Sequence, residues 1–239
     1  MAETSPSLPN RQMMEKARRM DTLDVARPTS SVARAWSHAW TDRRFRLEAL
    51  LSAVGLVSLL AAMARFLAWV ERRPGVVLED PVLSAIQPRD VTWITFGLIY
   101  AGLITAVVVL LPQPRRLVLG MQAYVTLMLM RVGAMAVTPL EPPPGMIALR
   151  DPLVQIIGTG QVLTRDLFFS GHTSTMFLLA LLAPGRATRA FFLACTALVG
   201  ICVLWQHVHY TVDVLVAPLF AFVSVALVSR LHDGLTRRR

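Results

Sequence analysis

Six long runs of apolar residues dominate this chain and limit the folds that are open to it. They lie at about residues 47–70, 92–111, 117–137, 170–184, 188–208 and 210–229. Most contain about 20 residues, the length that an α-helix needs to cross a bilayer. Of the 239 residues, 54% are hydrophobic, a share that soluble domains rarely reach. The pattern therefore predicts an all-α, polytopic integral membrane protein with six transmembrane helices. The fourth run is the shortest, and a backward extension through "VLTRDLFF" is one way to lengthen it.

The basic residues predict an orientation. Nine Lys or Arg residues precede residue 47, and "PQPRR", "PGRATR" and the tail "RLHDGLTRRR" are also basic. The two alternate loops, "ERRPGVVLEDPVLSAIQPRD" and "TPLEPPPGMIALRDPLVQIIGTGQVLTRD", hold more acids than arginines. Because cytoplasmic loops carry an excess of Lys and Arg, this alternation places both termini in the cytosol. The net charge of +9 follows the same topology, so we do not attribute it to nucleic-acid binding.

These boundaries divide the chain into three parts. Residues 1–46 are expected to form a basic, largely disordered cytosolic arm, in which "MEKARRMDTLDVARP" has the alternative of a short amphipathic helix on an anionic membrane surface. Residues 47–229 form the six-helix transmembrane domain, and residues 230–239 form a basic cytosolic tail. Cys195 and Cys202 lie about 10 Å apart along one predicted helix, too far to pair, and we interpret them as small apolar residues of a span.

Polar residues gather at one membrane face of this topology. Arg131 lies near the outer end of the third span, and His172 starts the fourth. His207, His209 and Asp213 surround the outer turn between the fifth and sixth spans. Ionisable residues within spans are costly, which makes them candidates for function. A set of them at one depth predicts an active site rather than separate interfacial anchors.

The spacing of these residues suits phosphate chemistry. His209 and Asp213 are four positions apart, so on a helix they share a face. A carboxylate there fixes the tautomer of the imidazole and leaves the other nitrogen as a base or nucleophile, although a purely structural pair is the alternative. Ser170 and Gly171 precede His172 at a helix N-terminus, where free amides and the helix dipole bind anions.

Two arginines are candidates for a phosphate contact. Arg131 could bind a phosphate through two hydrogen bonds. Arg165 is a second candidate, with an interfacial anchor as the simpler interpretation. The three histidines have few acidic partners and no HExxH-type ligand pair, so no metal site is predicted.

The pairing of "FSGHT" with "HYTVDV" resembles the type 2 phosphatidic acid phosphatase superfamily, and in particular its sphingomyelin synthase branch. "DLFFSGHTSTMFLLAL" and "HVHYTVDVLVA" are similar to the two histidine segments of that branch. "RVGAMAVTPLEPPPG" resembles its proline-rich segment after the third span, and "ERRPGVVLEDPVLSAIQP" its first outer loop. The resemblance covers about residues 47–229.

Two departures separate the chain from ordinary lipid phosphatases of the superfamily. Their upstream Lys-x6-Arg-Pro signature is absent, and Arg131 with Thr138 and Pro139 has the same spacing with different residues. The proline that usually precedes Ser-Gly-His is replaced by Phe169. The first departure favours the synthase branch.

The resemblance implies a phosphotransfer that uses a histidine triad and needs no metal or cofactor. His209 would attack the phosphorus and form a phosphohistidine, and Asp213 would orient and charge its imidazole. His172 would protonate the leaving oxygen and then act as base for the acceptor.

The resemblance also assigns supporting roles. Arg131 and the amides of residues 170–172 would stabilise charge on the phosphoryl oxygens. His207 would lie behind the triad or on the acceptor side, and Asp166 would shape the acceptor site.

The favoured function is therefore a lipid phosphotransferase that moves a phospho-head group from a glycerophospholipid to a ceramide- or diacylglycerol-like alcohol. The alternative with the same triad is a lipid phosphate phosphatase, in which water is the acceptor. A non-catalytic transporter or membrane scaffold is a third hypothesis. The arginine-rich composition favours a bacterial inner membrane with a periplasm-facing site, and a Golgi or plasma membrane is the alternative location.

Overall fold

The computed structural model describes residues 28–150 and 163–237, and these residues are almost entirely helical. Residues 1–27, 151–162 and 238–239 lie outside the described part of the chain, and with them most of the segment predicted as an amphipathic helix. Eight helices are found in the described ranges: α1 Pro28–Thr41, α2 Arg43–Val70, α3 Pro81–Ser84, α4 Thr92–Leu110, α5 Pro114–Val137, α6 Gly171–Leu182, α7 Arg186–Trp205 and α8 Thr211–Arg237.

Five of these helices, α2, α4, α5, α7 and α8, are long and apolar enough to cross a membrane. Their outward faces carry large exposed apolar side chains, for example Leu51, Val57 and Leu215, as expected where lipid rather than water surrounds a helix. The structure therefore supports the integral membrane class. The remaining predicted span corresponds to α6, which has 12 residues and is about 18 Å long, shorter than the roughly 30 Å hydrocarbon core. Six full spans and the cytosolic position of the termini remain predictions.

The described boundaries differ from the predicted ones in three places. The backward extension of the fourth span through "VLTRDLFF" is wrong, because residues 163–170 are not helical and Ser170 caps α6 at its N-terminus. Residues 28–41 and 43–46, which lie within the predicted N-terminal arm, are helical. The predicted tail continues α8 as far as Arg237.

The short helix α6 occupies the centre of the bundle. It packs against α4, α5, α7 and α8, and Met176, Leu178 and Ala180 are buried. A helix enclosed by other helices does not have to span the lipid by itself. Cys195 and Cys202 are free thiols buried on α7, in agreement with their interpretation as small apolar residues.

The loops are joined to one another at the end of the bundle that carries His172, His207 and His209, which we call the histidine end. Val76 pairs with Leu140 in a short parallel bridge. Gly75 makes this approach possible, because a Cβ there would lie 2.5 Å from the backbone carbon of Leu140. The carboxylate of Asp80 accepts hydrogen bonds from the backbone and hydroxyl groups of Thr211 at 2.7 and 3.0 Å. These contacts connect the loop after α2 to the loop after α5 and to the start of α8, and they hold the histidine end together.

Candidate active site

The Ser-Gly-His segment forms the N-terminus of α6. The hydroxyl of Ser170 caps the helix and accepts a long, 3.5 Å hydrogen bond from the backbone N–H of Thr173. Gly171 lies directly against the guanidinium group of Arg131, because a Cβ at this glycine would be 3.1 Å from the Arg131 Cζ atom. The absence of a side chain therefore lets a cation rest on the first turn of the helix, where the free amides also attract negative charge.

His209 and Asp213 form a buried pair at the start of α8. The Nδ1 atom of His209 lies 3.4 Å from Oδ2 of Asp213, and the relative exposures of the two residues are 4% and 0%. This contact lacks the alignment of a hydrogen bond, and the same Oδ2 atom accepts the backbone N–H of Tyr210 at 3.0 Å. The predicted pairing is present, but His209 precedes the helix, which begins at Thr211. The contact thus depends on the turn that enters α8 rather than on one helical face.

A backbone hydrogen bond joins the two histidine segments. The N–H of Ser170 donates to the carbonyl oxygen of Asp213 at 3.1 Å. This bond brings the N-terminus of α6, with His172, beside the turn that carries His209. It also corrects one expectation, because the Ser170 amide is engaged with Asp213 and is not available to a phosphate. The Gly171 N–H has no hydrogen-bond partner among residues 28–150 and 163–237.

His172 lies at one end of an apolar cavity of about 590 Å³. The ring of Phe96 meets the imidazole edge to face, with 6.2 Å between the ring centroids. The cavity follows α6 from His172 to Leu182 and is walled by α2, α4 and α5; its lining includes Leu60, Leu103, Val107, Tyr124, Thr175 and Leu179. Ten residues of helix rise about 15 Å, so the cavity has room for a large part of an acyl chain.

Arg131 is buried and makes three interactions with the segment that precedes α6. Its Nε atom donates to the carbonyl oxygen of Phe169 at 2.7 Å, and Nη2 donates to the backbone carbonyl of Asp166 at 3.2 Å. Nη1 lies 2.8 Å from the Asp166 carboxylate, a short ion pair although the N–H is not well aligned with the oxygen. Arg131 therefore positions the segment that leads into α6, a role that sequence reasoning did not include. Asp166 is its partner in this contact.

His207 occupies the left-handed position that ends α7, with φ of +55°. The N–H of Val208 bonds to the Val203 carbonyl at 3.0 Å, and the N–H of His207 bonds to the Leu204 carbonyl at 2.9 Å. These two bonds define a Schellman motif, in which glycine usually occupies the position of His207. The imidazole is buried, and its Nδ1 atom is 2.9 Å from the carbonyl oxygen of Pro144. His207 therefore docks the proline-rich loop onto the end of α7.

His207 also lines a second cavity, of about 540 Å³, which is separate from the cavity at His172. Its other lining residues include Glu79, Asp80, Ser84 and Tyr210. Sequence reasoning did not single out Tyr210, whose hydroxyl donates to the Glu141 carbonyl and accepts the N–H of Leu78. The sequence signal that could have identified Tyr210 is its position inside the "HYTVD" segment.

Arg165 joins two carboxylates outside the triad. Its guanidinium group makes an ion pair of 2.8 Å with Glu141, and its backbone N–H donates to Glu71 at 2.6 Å. The structure thus gives this arginine an anchoring position rather than a second position at the N-terminus of α6. Within the described ranges no group of three or more His, Cys, Asp or Glu side chains could hold a metal ion.

A comparison with protein families gave a match that covers both histidine segments. Residues 165–230 match the family model described as PAP2 superfamily C-terminal. The matched segment contains His172, His209 and Asp213, whereas Arg131 lies outside it. Comparisons with curated proteins and with solved structures gave no match. The segment from residue 165 to residue 230, which contains both histidine segments, is therefore similar to the PAP2 superfamily C-terminal domain.

Proposed function

We propose that the protein is an integral-membrane lipid phosphotransferase with its active site on the non-cytosolic face. It moves a phospho-head group from a glycerophospholipid to a ceramide- or diacylglycerol-like alcohol through a phosphohistidine on His209. The observation that carries the proposal is the position of His172, at the junction of the apolar cavity and the anion-binding end of α6. A lipid whose acyl chain fills that cavity presents its phosphate to the two histidine segments.

In the first step the Nε2 atom of His209 attacks the phosphorus. Asp213 faces the opposite nitrogen of the ring, so it stabilises the positive charge that the imidazole gains. The bond between the phosphorus and the diacylglycerol oxygen breaks, and protonated His172 gives its proton to that oxygen. The Gly171 N–H and the nearby Arg131 guanidinium stabilise the charge on the phosphoryl oxygens.

In the second step the acceptor alcohol replaces the histidine. Neutral His172 takes the proton of the acceptor hydroxyl, whose oxygen attacks the phosphorus. The bond between phosphorus and His209 breaks, and both histidines return to their starting states. With water in place of the alcohol, the same steps describe a lipid phosphate phosphatase.

Product analysis with labelled lipids tests this proposal. The purified protein in mixed micelles receives phosphatidylcholine or phosphatidylethanolamine labelled in the head group, with or without ceramide or diacylglycerol. We expect a labelled product that requires the added alcohol and that is absent with the His209→Ala variant. Release of phosphate from phosphatidic acid, with no product that depends on the alcohol, would establish the phosphatase instead. Transport or scaffolding that survives in His209→Ala would point to the non-catalytic hypothesis.

A further inference from the structure

A third cavity, of about 370 Å³, lies at the opposite end of the bundle from His172, His207 and His209. We call this end the arginine end. Arg115 and Arg116 line the cavity from the first turn of α5, and Arg189 lines it from the first turn of α7. Glu48 of α2 and His232 of α8 complete its polar wall. The proposed phosphotransfer uses none of these residues.

Two of the three arginine side chains form no ion pair within residues 28–150 and 163–237. The side chain of Arg115 makes a 2.8 Å ion pair with Asp42 and lies over the ring of Phe45. The exposed side chains of Arg116 and Arg189 make no hydrogen bond or ion pair with any residue that the structure describes. Two guanidinium groups that face one cleft repel each other, and an anion between them removes that repulsion. The cleft is therefore suited to a phosphate, which guanidinium groups bind through paired hydrogen bonds.

The floor of the same cavity is apolar. Leu119, Leu181, Leu182 and Val225 line it below the arginines. A free phosphate ion gains nothing from contact with apolar side chains. A lipid, by contrast, can place its glycerol and acyl carbons against them. Leu182 also lines the cavity at His172, so the two cavities are neighbours inside the bundle.

Aromatic residues place this cleft at the depth of lipid head groups. Trp36 and Trp40 lie beside Phe45, with ring centroids 6.2 and 5.8 Å from its ring. The indole N–H of Trp36 donates to the carbonyl oxygen of Leu111, just after α4. Trp is enriched where a membrane protein crosses the membrane–water interface. The arginines beside this cluster therefore lie where phosphates of the bilayer are found.

We propose that this cleft binds the head group of an anionic phospholipid in the leaflet at the arginine end. Arg116 and Arg189 hold its phosphate, and its acyl chains rest on the apolar floor. Glu48 disfavours additional phosphates and accepts a hydrogen bond from a head-group hydroxyl, which favours a glycerol-type head group. Basic pockets between transmembrane helices bind anionic lipids in this way.

Equilibrium binding of a fluorescent phosphatidylglycerol to the purified full chain in neutral detergent tests the site. The double variant Arg116→Gln, Arg189→Gln should bind about 30-fold more weakly, on the basis of about fivefold for each arginine. Arg230→Gln removes an exposed arginine of α8 that does not line the cavity, and it should bind like the wild type. All variants are first compared by thermal unfolding, and Arg116→Lys, Arg189→Lys should recover most of the binding.

Two results would overturn the proposal. The first is a failure of the expected difference in affinity: the double glutamine variant binds as tightly as the wild type, or Arg230→Gln loses as much affinity as the double variant. The second is displacement of the lipid by inorganic phosphate or glycerol phosphate at concentrations similar to that of the lipid, since this would mark a site for free anions. The measurement is made in the His209→Ala background, which lacks the proposed nucleophile. Its result therefore does not depend on whether the proposed phosphotransfer is correct.

Discussion

The backbone N–H of Ser170 donates a 3.1 Å hydrogen bond to the carbonyl oxygen of Asp213. The two histidine segments, which are far apart in the chain, are therefore joined through the residue whose carboxylate faces His209. Asp213 is fully buried, and its carboxylate also accepts the N–H of Tyr210. One residue thus fixes the backbone between the segments and the electrostatic surroundings of the proposed nucleophile.

Replacing Asp213 by Asn should separate these two roles. The asparagine keeps the backbone carbonyl for Ser170 and a side-chain oxygen for the N–H of Tyr210, so the midpoint of thermal unfolding should change little. The variant lacks the negative charge beside His209, and kcat should fall roughly 10²- to 10⁴-fold because the imidazolium that forms on attack is no longer stabilised. Steady-state kinetics with the labelled donor measure this, and a kcat within threefold of the wild type would contradict the assigned role.

The roles of His172 and His209 can be distinguished with an activated donor. His172→Ala removes the proposed acid, so turnover of a natural phospholipid should fall roughly 10²- to 10⁴-fold. A phosphate ester with a nitrophenol leaving group needs no protonation, and with it this variant should still form the phosphohistidine. His209→Ala should form none with either donor.

Rapid acid-free quenching followed by detection of the alkali-stable phosphohistidine measures both variants. His38→Ala is the matched control, because this histidine is exposed on α1 at the arginine end. A phosphorylated His209→Ala protein would show that another residue is the nucleophile.

Hydropathy was sufficient to predict the apolar helices, including α6 at Gly171–Leu182, but it left open whether α6 extends backwards. A run of apolar residues does not reveal where a helix starts, and Phe168 and Phe169 are as apolar as the span that follows. The start is set by Ser170, whose hydroxyl caps the helix, and by the interaction of Arg131 with the segment before it. Local capping and a contact with a distant helix therefore override the hydropathy pattern.

The components of the site could be predicted from sequence, but several of their contacts could not. The spacing of His209 and Asp213 indicated a pair, which the structure contains. The ion pair of Arg131 with Asp166 joins residues from two separate segments, and no local pattern encodes it. The left-handed backbone of His207 could not be predicted either. The Schellman motif is recognised in a sequence by a glycine at this position, and here the residue is histidine.

The buried ion pair predicts unequal effects for its two partners. Arg131→Met leaves the Phe169 carbonyl and the Asp166 carboxylate without their donor, and it should lower the free energy of unfolding by roughly 3 kcal/mol or more. Asp166→Asn retains the backbone contacts of Arg131, and its side chain is 26% exposed, so its effect should be about 1 kcal/mol. Thermal unfolding in one detergent compares them, and a larger loss for Asp166→Asn would contradict the assignment of Arg131 as the central group.

The contacts between the loops at the histidine end predict a dependence of stability on pH. The hydrogen bond from the N–H of Gly75 and the guanidinium group of Arg165 hold the pKa of Glu141 below its ordinary value of 4.5. A carboxylate with a lowered pKa in the folded state stabilises the protein above the ordinary pKa, and this contribution disappears as the pH falls through the folded-state pKa. The thermal unfolding midpoint should therefore decrease on acidification below pH 4.5.

Glu141→Gln should reduce the slope of that decrease without abolishing it. Burial raises the pKa of Asp80, but hydrogen bonds from Thr211, Leu83 and Val82 outweigh it, so this pKa is also lowered and Asp80 contributes in the same direction. Glu48→Gln at the arginine end is the control and should keep the wild-type slope. Identical slopes for Glu141→Gln and the wild type would refute the assigned contribution.

The left-handed conformation of His207 predicts that glycine and alanine differ at this position. A side chain in that conformation costs roughly 1 kcal/mol, so His207→Gly should be more stable than His207→Ala by about that amount. Both variants lose the contact with Pro144 and the imidazole that lines the cavity with Glu79 and Tyr210. If His207 acts on the acceptor side, both should raise the KM for the acceptor alcohol by a similar factor and change kcat less. Thermal unfolding and acceptor-dependent kinetics measure the two effects separately, and equal stability of the two variants would mean that the backbone at this position is not strained.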